Sequence, residues 1–220
     1  MYIDSANLEE ITELNKLGIF KGVTTNPTLL LQAGQERLTH LNQILALNIP
    51  KLFVQLEGSN QTELYNDYVT LAEGLSDTSK IAYKVPINDA GLLAIKKIKK
   101  QHPEAEILGT AIYSAEQMFL AALAGCAYVA PYVNRMKVQG IDPYEVISSA
   151  KQFIINQDLP CAIMGASFKN SQQVKDVYDA GIDTVTLPKD VIMQMLNRDL
   201  ANQAIAVFNQ HGAELKQQTS

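Results

Sequence analysis

The sequence predicts an α/β fold of the (β/α)8 TIM-barrel kind, a single domain with an extra C-terminal helix. Three observations lead there. Short β-rich runs and amphipathic stretches alternate along the whole 220 residues. Eight β-rich runs can be counted, and the first is followed by Asp4-Ser5-Ala6-Asn7, with no glycine. Strict strand–helix alternation implies parallel strands joined by right-handed crossovers, and eight such units close naturally into a barrel. An open doubly wound sheet is the main alternative. It usually has fewer strands and a glycine-rich phosphate loop after the first, whereas neither GxGxxG nor a Walker A sequence occurs here. Each unit has about 27 residues, so the loops must be short.

In chain order, strands are predicted over Tyr2–Asp4, Gly22–Thr25, Leu52–Leu56, Ile81–Val85, Ile107–Thr110, Tyr128–Tyr132, Cys161–Ala166 and Thr184–Leu187. Between them, helical periodicity covers Leu8–Leu17, Leu38–Leu47, Glu63–Leu75, Gly91–Gln101, Ala115–Leu123, Tyr144–Ile155, Gln172–Ala180 and Val191–Leu196, and Ala201–Asn209 adds a ninth helix. Asn7 precedes Glu10 by three and Ser114 precedes Gln117 by three, the spacing of capping boxes. Gly18, Gly125 and Gly181 follow helical stretches, where a left-handed glycine ends a helix. Pro27, Pro86 and Pro188 each mark the chain leaving a strand. No Pro/Ser-rich linker divides the chain, so residues 1–220 are expected to form one domain, with about 200–220 as C-terminal helix and tail.

Composition excludes several function classes. Hydrophobic residues make up 47% and charged residues 19%, an ordinary globular balance. A net charge of −5 does not suit a non-specific nucleic-acid binder, so an anionic ligand must be held by local groups. No apolar run approaches the roughly 18 residues of a membrane span. The start, Met1-Tyr2-Ile3-Asp4, lacks the basic and apolar regions of a secretory signal. Cys126 and Cys161 sit in apolar runs, with no CxxC and no histidine at ligand spacing. Buried thiols in a reducing cytosol are expected, and with them a cytoplasmic protein without nucleic-acid or membrane partners.

A barrel of this kind carries its site at the C-terminal ends of the strands. The polar residues there are Asp4; Thr24, Thr25 and Asn26; Gln55; Lys84; Thr110; Tyr132 with Asn134 and Arg135; and Ser167 with Lys169. The eighth strand, ending Thr186-Leu187-Pro188, contributes little. Lys84 stands out in the apolar run Ile81-Ala82-Tyr83-Lys84-Val85-Pro86. A buried lysine tends to lose its proton or find a partner, and a neutral amine attacks carbonyls. A lysine that snorkels from the strand end is the ordinary alternative; the polar set around Lys84 favours the nucleophile. Asp4 reads as a site carboxylate or as a helix N-cap, a task Ser5 or Asn7 could take instead. Thr110 and Tyr132 taken singly are ordinary strand residues. Arg135, Ser167 and a helix beginning near Asn170 suit a phosphate, with a surface ion pair as the alternative for Arg135. The three histidines, His40, His102 and His211, lie away from the strand ends, and no metal site is expected.

Five motifs, Val23-Thr24-Thr25-Asn26-Pro27, Tyr83-Lys84-Val85-Pro86, Leu108-Gly109-Thr110-Ala111-Ile112-Tyr113, Ala130-Pro131-Tyr132-Val133-Asn134-Arg135 and Ala166-Ser167-Phe168-Lys169, occur in that order. In them the chain resembles the short transaldolase family, and most closely its fructose-6-phosphate aldolase branch, from Asp4 to about Met195. The resemblance implies a class I aldolase with no cofactor. Lys84 would form a Schiff base with fructose 6-phosphate, and cleavage would give dihydroxyacetone and glyceraldehyde 3-phosphate. Asp4 would orient hydroxyls and assist proton transfer, and Asn26 would bind a substrate hydroxyl, with Thr25 beside it. Gln55, Thr110 and Tyr132 would hold the water of Schiff-base formation, Tyr132 being the main acid–base group, and Arg135 and Ser167 would bind phosphate. Classical transaldolases carry Glu, Phe and Ser where Gln55, Tyr132 and Ala130 stand, so these positions follow the aldolase pattern. Transfer of the dihydroxyacetone unit to an aldose phosphate in the pentose phosphate pathway is the alternative activity. The loop Met136–Asp142 departs from the aldolase pattern. Relatives assemble as pentamer-based rings, often decamers, through a C-terminal helix, so a homo-oligomer is expected.

Overall fold

The structure, a computed structural model, describes residues 1–218. Strands β1 (Tyr2–Asp4), β2 (Val23–Thr24), β3 (Leu52–Gln55), β4 (Ile81–Pro86), β5 (Glu106–Ile112), β6 (Tyr128–Pro131), β7 (Ala162–Gly165) and β8 (Thr184–Leu187) form a closed barrel in chain order. Every neighbouring pair is parallel, and β8 closes onto β1 through Tyr2↔Thr186 and Ile3↔Leu187. The eight strands and the TIM-barrel expectation are met, with boundaries moved by one or two residues.

Helices α1 (Leu8–Asn15), α2 (Pro27–Ala33), α3 (Arg37–Ala46), α4 (Gln61–Gly74), α5 (Asp89–Gln101) and α6 (Ala115–Leu123) belong to the first half. They are followed by α7 (Val133–Val138), α8 (Pro143–Asn156), α9 (Ser171–Asp179), α10 (Lys189–Leu196) and α11 (Asp199–Gln218). Two of these, α2 and α7, have no counterpart among the predicted helices. Pro27 does not merely end a strand: it occupies the first turn of α2, which Asn26 caps through Leu29 N–H at 3.0 Å. The segment after Tyr132 is helical because Met136 N–H reaches the Tyr132 carbonyl at 2.9 Å. The terminal helix is longer than Ala201–Asn209, and residues 219 and 220 of the expected tail lie outside the described residues.

The helix ends show what the capping chemistry does. Asn7 Oδ1 accepts from Glu9 and Glu10 N–H at 2.9 and 3.1 Å. The Glu10 carboxylate, however, takes the Ser5 hydroxyl at 2.8 Å and does not return to Asn7, so the expected box is half formed. At Ser114, the Gln117 side chain closes the loop one residue upstream, on Tyr113 N–H at 2.8 Å. Gly18, Gly125 and Gly181 have φ of 68°, 90° and 90°, the left-handed conformation anticipated for them.

Burial divides into two layers. A large outer core lies between strands and helices. A small inner core of Tyr2, Phe53, Ala82, Leu108, Ala130, Met164 and Ala166 fills the barrel. Phe53 meets Tyr2 and Tyr128 edge-on, with ring centres 5.1 and 5.4 Å apart. Because strand side chains alternate with a period of two, each inner residue sets the direction of the one two positions on. Tyr2, Phe53, Ala82, Leu108 and Ala130 thereby aim Asp4, Gln55, Lys84, Thr110 and Tyr132 into the space above the inner core.

Candidate active site

A cavity of about 680 Å³ opens above the inner core, at the C-terminal ends of the strands. Its walls include Asp4, Thr24, Gln55, Lys84, Thr110, Tyr132, Ser167 and Thr186, so each of the eight strands, or the residues just beyond it, supplies a polar side chain. Gln55 and Lys84 are register partners, as are Asp4 and Thr24.

Lys84 is 6% exposed, and its Nζ donates to the Thr25 carbonyl at 2.6 Å. Burial pushes its amine below the ordinary lysine range, and the nearby Asp4 carboxylate offsets this only in part. Burial likewise lifts the Asp4 carboxyl above its ordinary range, opposed by Lys84 and by a hydrogen bond from Thr24 at 2.8 Å. The opposing pulls of charge and burial on Lys84 therefore resolve in favour of burial, which raises the neutral, nucleophilic fraction.

On the facing side, the Thr110 and Tyr132 hydroxyls lie 3.0 Å apart. Tyr132 stands just past β6, fixed by its backbone bridge to Ala166 and its N–H to the Ile112 carbonyl at 3.1 Å. Tyr113 packs edge-on against its ring at 5.6 Å, and the Arg135 guanidinium lies 5.0 Å from the ring centre. Arg135 is exposed at the rim and donates to the Tyr113 hydroxyl at 3.4 Å, a contact through which the guanidinium holds its proton more firmly. Ser167 lies on the same rim with φ of 61°, and Ala111, across the mouth, has φ of 57°. A left-handed backbone at residues other than glycine is strained and occurs preferentially at functional sites. The buried end of the cavity thus carries an amine, a carboxylate and paired hydroxyls, whereas the open end carries a cation. That polarity suits a small polyhydroxy carbonyl compound with an anionic tail.

The family model for transaldolase/fructose-6-phosphate aldolase matches residues 1–219 of this chain. The chain belongs to the transaldolase/fructose-6-phosphate aldolase family. It is therefore an enzyme, a transaldolase or a fructose-6-phosphate aldolase, whose substrates are sugar phosphates. Lys84 on β4 is the buried amine of the cavity.

In this member of the transaldolase/fructose-6-phosphate aldolase family, Asp4, Asn26, Gln55, Lys84, Thr110, Tyr132, Arg135 and Ser167 all line one cavity. Thr25 does not. Its hydroxyl points away and donates to the Phe53 carbonyl at 2.9 Å, and only its backbone carbonyl meets Lys84. The reason is strand alternation: Thr24 faces inward, so Thr25 faces the wall. Asn26 keeps its place with part of its chemistry committed, since Oδ1 caps α2 and the Nδ2 donor remains for the cavity. Asp4 is not a helix cap, because Asn7 performs that task.

Three features escaped the sequence reading. Thr186 on β8 lies 2.6 Å from Thr24, hydroxyl to hydroxyl. Tyr113 buttresses Tyr132 and Arg135. Arg37 donates to the Gln55 carbonyl at 2.7 Å while gripping Asp67 at 2.6 and 3.0 Å. The doubled arginine–carboxylate contact explains why the end of β3 is fixed. Among the described residues, no group of three His, Cys, Asp or Glu side chains is placed to hold a metal ion. No helix among them is long and apolar enough to cross a membrane.

Proposed function

We propose that this member of the family is a fructose-6-phosphate aldolase that completes cleavage without an acceptor sugar. The observation that carries the reading is the Tyr132 hydroxyl, held by Thr110 inside the Lys84 cavity. The neutral amine attacks the C2 ketone, and water leaves to give an iminium ion. A base removes the proton of the C4 hydroxyl, and the C3–C4 electron pair moves into the iminium. Glyceraldehyde 3-phosphate departs and an enamine remains on Lys84. Tyr132 donates a proton to C3, and water attacks the regenerated iminium, releasing dihydroxyacetone and the free amine. A positioned acid or base of this kind contributes about 10² to 10⁴ in rate.

The remaining groups divide along the cavity. Asp4, beside Lys84, orients substrate hydroxyls and assists proton movement. Asn26 donates to a hydroxyl through Nδ2. Gln55, Thr110 and Tyr132 hold the water exchanged at the Schiff base. Arg135 and Ser167 take the phosphate at the rim. In a transferase the enamine must survive until an aldose phosphate arrives, and a hydroxyl proton donor against it works the other way. The test is product analysis on fructose 6-phosphate alone. Dihydroxyacetone and glyceraldehyde 3-phosphate should accumulate; cleavage that requires added erythrose 4-phosphate would assign the chain to transaldolase instead.

We further propose that α11 docks on a second copy of this chain in a pentamer-based ring. Leu200, Ala204, Val207 and Phe208 recur at helical spacing, and Leu200 and Phe208 are 81% and 69% exposed. Truncation after Asn197 should break the assembly in light scattering, and an intact ring would exclude this role.

A further inference from the structure

We propose that Thr186 is a positioning residue for the reaction, acting through the hydroxyl of Thr24 on the Asp4 carboxylate. The inference rests on the Schiff-base reading above, and it extends the site to β8, the strand expected from the sequence to contribute little. Thr24 Oγ1 donates to Asp4 Oδ1 at 2.8 Å and lies 2.6 Å from Thr186 Oγ1. A threonine hydroxyl has one proton to give. When Asp4 is ionised, Thr24 spends that proton on the carboxylate, so the proton in the second contact comes from Thr186. The chain is therefore directional: Thr186 donates to Thr24, and Thr24 donates to Asp4. Three strands that close the barrel, β8, β2 and β1, supply one member each.

The placement gives this chain leverage. Thr24 and Thr186 are 1% and 3% exposed, so both hydroxyls sit in a largely buried setting at the floor of the cavity. Hydrogen bonds linked in such a chain polarise one another where the local dielectric is low. A Thr24 hydroxyl that accepts from Thr186 is thus a stronger donor to Asp4 and is held in one rotamer. With Oδ1 fixed in this way, the other carboxylate oxygen is available to the cavity that Asp4 shares with Lys84. The titratable group facing Asp4 is Lys84 on β4; Thr24 on β2 and Thr186 on β8 are uncharged.

The experiment compares wild type with Thr186→Val, which keeps the shape and removes the hydroxyl, and Thr186→Ser, which keeps the hydroxyl. Each is assayed for fructose 6-phosphate cleavage across pH, and for borohydride trapping on Lys84 in the presence of dihydroxyacetone. In Thr186→Val, kcat should fall about tenfold with KM within about twofold, the scale of one lost charge-directed hydrogen bond. The acidic limb of its rate profile should move to higher pH, because a weakened donor leaves Asp4 easier to protonate. Thr186→Ser should restore both. A valine variant with wild-type kcat and an unmoved limb overturns the proposal, as does a serine variant impaired as badly as valine, which would mean packing alone. If Thr186→Val does not fold, Thr186→Cys, a weaker donor, takes its place under the same expectations. Absence of trapping in the wild type is a different failure, that of the Schiff-base reading itself.

Discussion

Lys84 Nζ lies 2.6 Å from the carbonyl oxygen of Thr25, a contact that ties the middle of the barrel wall to the end of β2 and leaves the amine inside the cavity. The amine has one neutral acceptor, almost no water, and a carboxylate nearby that only partly offsets burial. Its folded-state affinity for a proton is therefore below that of the same lysine in the unfolded chain.

That difference has a signature in stability. Between the lowered folded value and the ordinary 10.5, the unfolded chain binds more protons than the folded one, so stability rises with pH in that window. Denaturant unfolding of wild type and Lys84→Met at pH 7 and pH 9.5 should show the wild type gaining on the variant as pH rises. A gap that stays constant would mean that Lys84 is protonated normally in the fold.

Asn26 caps α2 through Oδ1 and, in the proposed function, binds substrate through Nδ2; a pair of variants separates the two. Asn26→Ala removes both cap and donor and should lower stability by about 1 kcal/mol. Asn26→Asp keeps an acceptor for Leu29 N–H but has no Nδ2, so it should fold as well as wild type while losing cleavage activity. Melting temperatures with steady-state rates would show this; an aspartate variant of normal activity would leave Asn26 with the cap alone.

Arg37 grips the carbonyl of Gln55 from outside the cavity. Its side chain and that of Asp67 are 21% and 15% exposed, so the pair is screened in part. Arg37→Met should lower stability by about 1–2 kcal/mol, discounted from the cost of breaking a buried pair. It should also slow turnover, because β3 and its Gln55 lose their anchor. Urea unfolding with kcat measurement checks both, and an unchanged kcat would confine Arg37 to stability.

The sequence is most informative where strand ends can be placed without knowing the loops. Position at the C-terminal end of a strand marks Asp4, Gln55, Lys84, Thr110 and Tyr132, and the inner core two residues before each fixes their direction. A strand-end position also admits Thr25, but its side chain follows inward-facing Thr24 and bonds Phe53 in the wall, a direction that only the barrel geometry fixes. Thr186 was passed over because Leu187 and Pro188 make the end of β8 look apolar, although its own direction was legible from the alternation. Helix α2 had a visible start in Asn26-Pro27, but the same residues also read as a strand exit. Helix α7 lacks a side-chain cap at Tyr132 and had no such signal. The clamp from Arg37 to Gln55 joins residues 18 apart through geometry that no local pattern encodes.

In the proposed aldolase reaction Tyr132 governs the fate of the enamine. In Tyr132→Phe the hydroxyl partner of Thr110 is lost, and cleavage of fructose 6-phosphate without an acceptor should fall by about 10² or more. Adding erythrose 4-phosphate should restore turnover as transfer. A phenylalanine variant that still releases dihydroxyacetone at the wild-type rate would move the proton donor elsewhere, with Asp4 the next candidate.

The most direct measurement is reduction of the intermediate on the enzyme. Wild-type protein treated with borohydride and dihydroxyacetone should gain the mass of one reduced adduct, and peptide mapping should place it on Lys84, with none formed in Lys84→Ala. An adduct on another lysine, or turnover with no reducible intermediate, would contradict the assignment of Lys84 as the nucleophile.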